Sequence, residues 1–434
     1  MSFKIVLQHI FRINIIFIAV AFFCLPQEVY SRPATKLHPR EKIIVTGPGI
    51  DYRTSTYSDL QEAIDAAPDG GKLKLQPITF QASPQDFVDG LCGNCLDPVT
   101  DVEASYGFHI KGKSLTLQWS GSDSTTLVTN AGYGIFIEDC PSVKIYDLAI
   151  TGGERDQDGN ATCAAVVVRN SNVEVAHCRI YDNHGNFEET ICGIGGVFGR
   201  EGAILNIHHN VIRDNSWDGI ALYRGAIAQI HHNEIYNGRG AAVGITWDAR
   251  ADVIGNDIHD YWKGIGSFGE TRVGAYHNFV HDLHGWGIIA TGTSDMICRN
   301  NTVVRCGNVG IAGWSDEARM EIVNNIIANN GTVDKWVAPR VGIWMNCVEG
   351  NYRIAHNLFW ENHDCDVAFG YMDTDDDWTY AEERYFIGEE GNLYGDPMLI
   401  GDGPEVHMTS PCINNGDPQY VDLDMTLSDI GAKP

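Results

Sequence analysis

One short pattern constrains this chain more than any other feature. Between residues 178 and 360 it returns repeatedly to an Asn, any residue, then an apolar residue, with a β-type run just before it. The Asn positions are Asn210, Asn233, Asn256, Asn278, Asn301, Asn325 and Asn357, in steps of 23, 23, 22, 23, 24 and 32, and Cys178 takes the same slot one step earlier. A second register runs between them, through Gly219-Ile220, Gly244-Ile245, Gly264-Ile265, Gly287-Ile288, Gly310-Ile311 and Gly342-Ile343. Each repeat therefore holds two or three short β-forming runs joined by Gly, Asn and Asp turns. Leucine-rich repeats share a period near 23, but residues 200 to 360 hold only four leucines, and the second half of each repeat is Gly-rich and β-branched where that fold needs a helix. What fits is a solenoid of flat coils, each strand pairing with its copy one coil on at about 4.8 Å, and each Asn bonding to its neighbours inside a corner.

The length agrees. A chain of 434 residues is beyond the size at which one compact core divides, and a solenoid escapes that limit. A charge of −27 repels phosphate backbones and anionic headgroups, so nucleic acid is not an expected partner. Lys4 and Arg12, the apolar run from Ile13 to Leu25 broken only by Asn14, and Val29 and Ser31 at −3 and −1 predict a secretory signal over residues 1–31. No segment is apolar for the roughly 20 residues of a membrane span, and a secreted monomer, periplasmic or extracellular, is expected. Eleven cysteines remain after the signal, with Cys92 and Cys95 read as a local disulfide.

Two flanking segments make a resemblance specific. Thr56 to Gly70 reads as an amphipathic helix around residues 57 to 67, with a Ser58/Gln61 capping box and Leu60, Ala63, Ile64 and Ala67 on one face. The tail from Gly395 through Ser410-Pro411-Cys412 to Asp429-Ile430-Gly431-Ala432 reads as a closing segment. With the repeat, these resemble the right-handed parallel β-helix proteins of the pectate-lyase-like superfamily, over roughly residues 41 to 434. The resemblance implies an all-β, single right-handed parallel β-helix spanning 32–434. The helix caps its N-terminal end, regular coils run over about 140–370, and a C-terminal cap covers about 371–434. It implies little about activity, because one fold hosts many chemistries.

The Gly-Ile strand suggests a site. Counting by two from its inward Ile, the outward positions include Tyr223, Asp248, Phe268 and Trp314, a lane with raised rings suited to the C–H faces of sugars. Three lengthened intervals, 151–163, 183–195 and 330–341, all fall between the Asn strand and the Gly-Ile strand and are expected to wall that lane. Arg224, Arg250, Lys263 and Arg272 near it are candidates to hold a substrate carboxylate, with Asp218, Asp248 or Glu270 as acid or base. The sequence-based expectation is polysaccharide modification dependent on Asp248 and Arg250. The competing site is Tyr181-Asp182-Asn183-His184, which resembles in type and spacing the Asp-x-His with nearby Tyr of mannuronan C5-epimerases, although Asp182 sits in the turn column.

Lyase or C5-epimerase action on a uronate-containing glycan is the leading reading. Glycoside hydrolysis, and a non-catalytic glycan-binding or cell-surface β-helix, are the alternatives. The only cofactor left open is calcium. The run from Asp373 to Asp377 has alternate carboxylates of a calcium loop, but Trp378 and Arg384 stand where Gly and a bidentate Glu are required. His177, His209, His232, His277 and His356 precede the Asn slot and are read as stacked turn imidazoles rather than a metal array.

Overall fold

A computed structural model describes residues 43–49, 56–119, 125–184, 193–333, 339–370, 378–380, 390–422 and 425–432. The expected signal at 1–31 and the acidic run Asp373–Asp377 lie outside them. The described chain winds as a right-handed parallel β-helix. Each coil gives one strand to each of three parallel sheets, here A, B and C in chain order, of 13, 12 and 13 described strands. The register is uniform: Ile207, Ile230, Val253 and Ala275 follow one another up sheet A, and all face a continuous apolar core.

The A–B corner is held by the Asn ladder. Asn233 donates its amide to Asn256 Oδ1 at 2.9 Å and to the Ile207 carbonyl at 2.9 Å, and its backbone N–H also donates to Asn256 Oδ1 at 3.0 Å. Each buried amide thus satisfies the turn backbone of the coil before it, and the same bonds recur from Asn210 to Asn357. The ladder continues to Asn392, which the widened spacing after Asn357 conceals from the repeat pattern. The residue before each Asn is left-handed, with φ of 52 to 55° at His177, His209, His232, His277 and His356, and Asn300 and Asn324 take the same place. That conformation favours Gly, Asn and His, which explains the column. Its imidazoles do stack, with ring centres 5.1 Å apart for His177 and His209 and 5.2 Å for His209 and His232.

The Gly of the second register has a different cause. It bulges into the coil against its neighbour, and a Cβ on Gly219 would stand 2.6 Å from the Ala242 carbonyl oxygen, or on Gly287 2.2 Å from that of Gly310. Gly244-Ile245 is out of this register: Ile220 pairs with Val243, Ala242 takes the glycine place, and Gly244 lies on the outer face.

At the N-terminal end the helix spans Leu60–Ala66, with Leu60, Ala63 and Ile64 buried. Its cap differs from the sequence reading. Asp59, not Ser58, is the N-cap and accepts from the Glu62 N–H at 2.9 Å. Gln61 instead bonds both the N–H and the carbonyl of His109, acting as a peptide group on the sheet edge. The parallel stack also begins earlier than the regular coils read from sequence, at Gly71–Lys74 in sheet A. The C-terminal tail runs back along sheet B. Cys412 and Ile430 pack on Phe279, Val304 and Ile326, and Ala432 N–H donates to Thr302 Oγ1 at 3.0 Å. No described helix is long and apolar enough to cross a membrane.

Candidate functional site

The outer face of sheet C separates into three stretches. Toward the N-terminus it is covered. The antiparallel strand Gln85–Asp89 and the loop closed by the Cys92–Cys95 disulfide, with Cα atoms 5.3 Å apart, lie over Tyr133, Phe136, Val167, Phe198 and Tyr223. Beneath this cover Arg200, fully buried, pairs with Asp89, and Arg169 joins Asp89 to Glu138. Hydrogen bonds from His109 foremost, then Lys111 and Arg169, hold the Glu138 carboxyl far below the usual range. Toward the C-terminus the face is again covered, by Trp286, Trp314 and Trp344 packed ring against ring at 4.8 to 5.8 Å, with Phe268 and Trp262 at the edge.

Between the two apolar clusters the outer column of sheet C falls to glycine, at Gly244 and Gly266, which leaves a cleft between the bulkier side chains on either side. Asp218 leans across it, so that a Cβ on Gly240 would collide with its Oδ1 and one on Gly244 would stand 3.3 Å from its Oδ2. The Ala241 N–H donates to Oδ1 at 2.7 Å. Ala241 is in register with Lys263 on the next coil, which places Asp218 and Lys263 in one column two coils apart. Burial pushes the Asp218 carboxyl up from 3.8 to about 6, opposed by the Ala241 N–H and the Lys263 charge. Burial likewise holds the Lys263 ammonium below its ordinary range, against the pull of Asp218. Tyr261 is buried beneath, and its hydroxyl, beside the Gly219 backbone, has no hydrogen-bond partner among the described residues. At the mouth, on the B–C corner, Arg239 lies 5.8 Å over the Trp217 ring and Lys263 6.0 Å over that of Trp262. A carboxylate of raised pKa with a desolvated lysine as its charged neighbour can accept and return a proton near neutral pH.

The remaining sequence candidates fall elsewhere. The outward phase read for the Gly-Ile strand holds, since Ala221, Tyr223, Ile289 and Ala312 lie outside the main core. The open lane does not. Tyr223 is 5% exposed under the disulfide loop, and Phe268 and Trp314 pack into the tryptophan cluster. Arg224 donates to the Cys95 carbonyl and lies 4.5 Å over the Trp247 ring, so it fastens the covering loop. Asp248 lies beyond the strand end, at the turn into sheet A, where its Oδ1 accepts from the Gly225 N–H at 2.8 Å. That is seven residues past the Asp218 column, about 23 Å along the chain at 3.3 Å per residue. Asp248 and Arg250 there line a separate groove of about 590 Å³ with Glu270, Arg272, Asp295 and Arg319.

Tyr181 ends a strand of sheet B, its ring between the guanidinium groups of Arg179 and Arg213. His184 follows on the B–C corner, 3.7 Å from Asp182, while Asn183 is buried and bonded to Asn215. All three lengthened intervals do connect sheet B to sheet C. The first packs down on the N-terminal cover through Asp156, which accepts from Ser105 Oγ at 2.6 Å. Residues 185–192 and 334–338 of the other two lie outside the described residues.

The comparisons bear on the coil itself. A family model described as a right handed beta helix region matches residues 99–258 and 244–377. The chain belongs to this right-handed β-helix family. A search of curated proteins returns no match. Among solved structures, this β-helix is similar to the A-module of a mannuronan C-5 epimerase from Azotobacter vinelandii, at 12% identity and TM-score 0.37, covering 81% of this chain and 96% of that one. A periplasmic alginate epimerase double mutant gives 13% and 0.39, covering 80% and 96%. A pectate lyase gives 12% and 0.37, covering 86% and 90%. Likeness at this level concerns the course of the backbone, so the chemistry has to be argued from the cleft.

Proposed function

We propose that this β-helix is a polysaccharide-active enzyme that removes the C5 proton of a uronate residue, with Asp218 as the base. The single observation that carries the reading is the Asp218 carboxyl lying over Gly240 and Gly244 in one column with Lys263, where burial raises its pKa. The reaction needs a cation to take up charge as the C5–H bond breaks and its electron pair moves into the substrate carboxylate, and a base within hydrogen-bond reach of that proton. Lys263 supplies the cation, with Arg239 at the mouth, and ionised Asp218 takes the proton. The electron pair then either expels the oxygen at C4, giving an unsaturated uronate, or takes a proton back from the opposite face, giving the C5 epimer. The charge acting on Asp218 is that of a lysine and not of a second carboxylate, which favours proton abstraction over two-carboxylate hydrolysis. The half-buried rings of Trp217 and Trp262 at the B–C corner suit sugar faces.

The test is a panel of uronate-containing polysaccharides with three readouts: ultraviolet absorbance of an unsaturated product, deuterium incorporated at C5 in deuterated water, and new reducing ends. Elimination gives the first, epimerisation the second alone, and hydrolysis the third without the first. Hydrolysis on the panel, or proton exchange that survives Asp218→Asn, overturns the assignment.

A further inference from the structure

The A–B corner, on the side of the coil away from sheet C, carries paired imidazoles that the Asn ladder does not require. His208 and His231 are the last residues of two successive strands of sheet A, in register, and His209 and His232 follow in the left-handed turn. Because the chain turns between them, each two neighbouring side chains converge. Nδ1 of His208 is 2.9 Å from Nδ1 of His209, and Nδ1 of His231 is 3.0 Å from Nδ1 of His232. The rings of His208 and His231 stack at 4.8 Å, so the two pairs repeat one coil apart. His177 extends the group, with one ring nitrogen each of His177, His208 and His209 lying within 4.8 Å of one another.

The far nitrogens settle the tautomers. His208 Nε2 stands 3.1 Å from Glu174 Oε1, and His231 Nε2 stands 3.1 Å from Asn206 Oδ1. Both partners are acceptors, so Nε2 carries the proton and Nδ1 of each neutral ring carries the lone pair, directed at the neighbouring imidazole. A carboxylate behind an imidazole is also the arrangement that orients metal-ligating histidines and raises their basicity. Two imidazole nitrogens this close hold either one proton between them or a cation in its place. For a metal–nitrogen distance of about 2.0 to 2.1 Å, nitrogens 2.9 to 3.0 Å apart subtend about 90° at the ion, whereas a tetrahedral ion needs about 3.4 Å. Right-angled pairs suit tetragonal or octahedral ions with imidazole affinity, which are Ni²⁺ and Cu²⁺.

We propose that His208–His209, joined by His177, and His231–His232 are chelating sites for a divalent ion of the Ni²⁺ or Cu²⁺ class. This is separate from the Asp218 cleft and does not rest on the activity proposed for it. Calorimetric titration of the untagged mature protein with Ni²⁺ is expected to show one to two ions bound per chain, with a rise in melting temperature. His209→Asn with His232→Asn is expected to lower the affinity at least tenfold without loss of fold, since Asn300 and Asn324 occupy the same left-handed place in other coils. A second variant, His208→Phe with His231→Phe, keeps ring stacking and removes the facing nitrogens, and has the same expected result. His363→Asn, remote from the corner, is expected to bind as the unmodified protein does. Wild-type affinity in both folded double variants, or no heat and no melting shift at about 1 mM Ni²⁺, overturns the proposal.

Discussion

Asp218→Asn is expected to stabilise the protein at neutral pH while removing its activity. The sign follows from the raised pKa. In the unfolded chain the carboxyl ionises near 3.8, and in the cleft near 6, so between these values the unfolded state releases its proton first. Stability therefore falls as pH rises from about 4 through 6 and stays lower above it. The full difference corresponds to about 3 kcal/mol, and partial exposure of the half-buried side chain reduces it to about 2 kcal/mol. An asparagine keeps an oxygen to accept the Ala241 N–H but carries no charge to desolvate. At about 2 cal/mol/K per residue the folded chain has an unfolding entropy near 0.8 kcal/mol/K, so the variant is expected to melt about 2 to 3 °C above wild type at pH 8. At pH 2.5, more than a unit below both values, the wild-type carboxyl is protonated in both states and the two should melt together. Scanning calorimetry at the two pH values measures this, and the rate of C5 proton exchange should fall by about 10² to 10⁴. A melting difference that does not change with pH, or a variant less stable at pH 8, refutes the desolvated carboxylate and with it the base.

Four further outcomes are expected. Lys263→Met removes the charge that holds Asp218 down, so the acidic limb of the kcat/KM profile should move to higher pH while kcat/KM falls. Asp248→Asn keeps an acceptor for the Gly225 N–H and should leave turnover near wild type; if it abolishes turnover and Asp218→Asn does not, the base lies at the turn into sheet A. Asn256→Ala leaves the Asn233 backbone N–H and one amide hydrogen unpaired in a buried corner, about 2 to 5 kcal/mol, read as a fall of roughly 3 to 6 °C in melting temperature against Asp252→Ala on the exposed face. Asp89→Ala removes the carboxylate bonded to fully buried Arg200, leaving it the Leu91 carbonyl and Glu201 at 3.4 Å, and should cost about 3 kcal/mol, seen as a lower denaturant midpoint.

The features visible in the sequence are those that repeat. Asn210 to Asn357 recur because one amide must serve each corner, and the Gly-Ile register, apart from Gly244-Ile245, recurs because a Cβ would strike the next coil's carbonyl. The outward phase of the Gly-Ile strand follows from the same regularity. What lies on top of that strand does not repeat. Tyr223 and Phe198 are covered by residues 85 to 102, more than 90 residues earlier and antiparallel to their partner strand, so no period could reveal that the lane is closed there. The helix cap shifted by one residue because Ser58 and Asp59 are both good caps, and Gln61 found a stronger use on the His109 peptide. Asp218 was one acid among several candidates in the sequence. What distinguishes it is burial by Gly240 and Gly244, a property of the next coil rather than of its own.

The B–C corner explains why the cleft lies where it does. Asn183 and Asn215 form a second amide ladder in the coils before it, and Asn330 and Asn362 resume that ladder after it. In the coils between, the corresponding places hold Gly238, Tyr261, Leu283 and Cys306, and the Tyr261 ring fills the space that a side chain on Gly238 would need. The corner thus gives up its neutral hydrogen-bonding groups over the interval in which Asp218 leans out over glycine. An uncharged amide could take the same Ala241 N–H without the desolvation cost, and this chain uses such amides at corner after corner. A charged group in that place lowers stability above pH 6, a cost the scaffold does not require and one that the proposed role of Asp218 as a base accounts for.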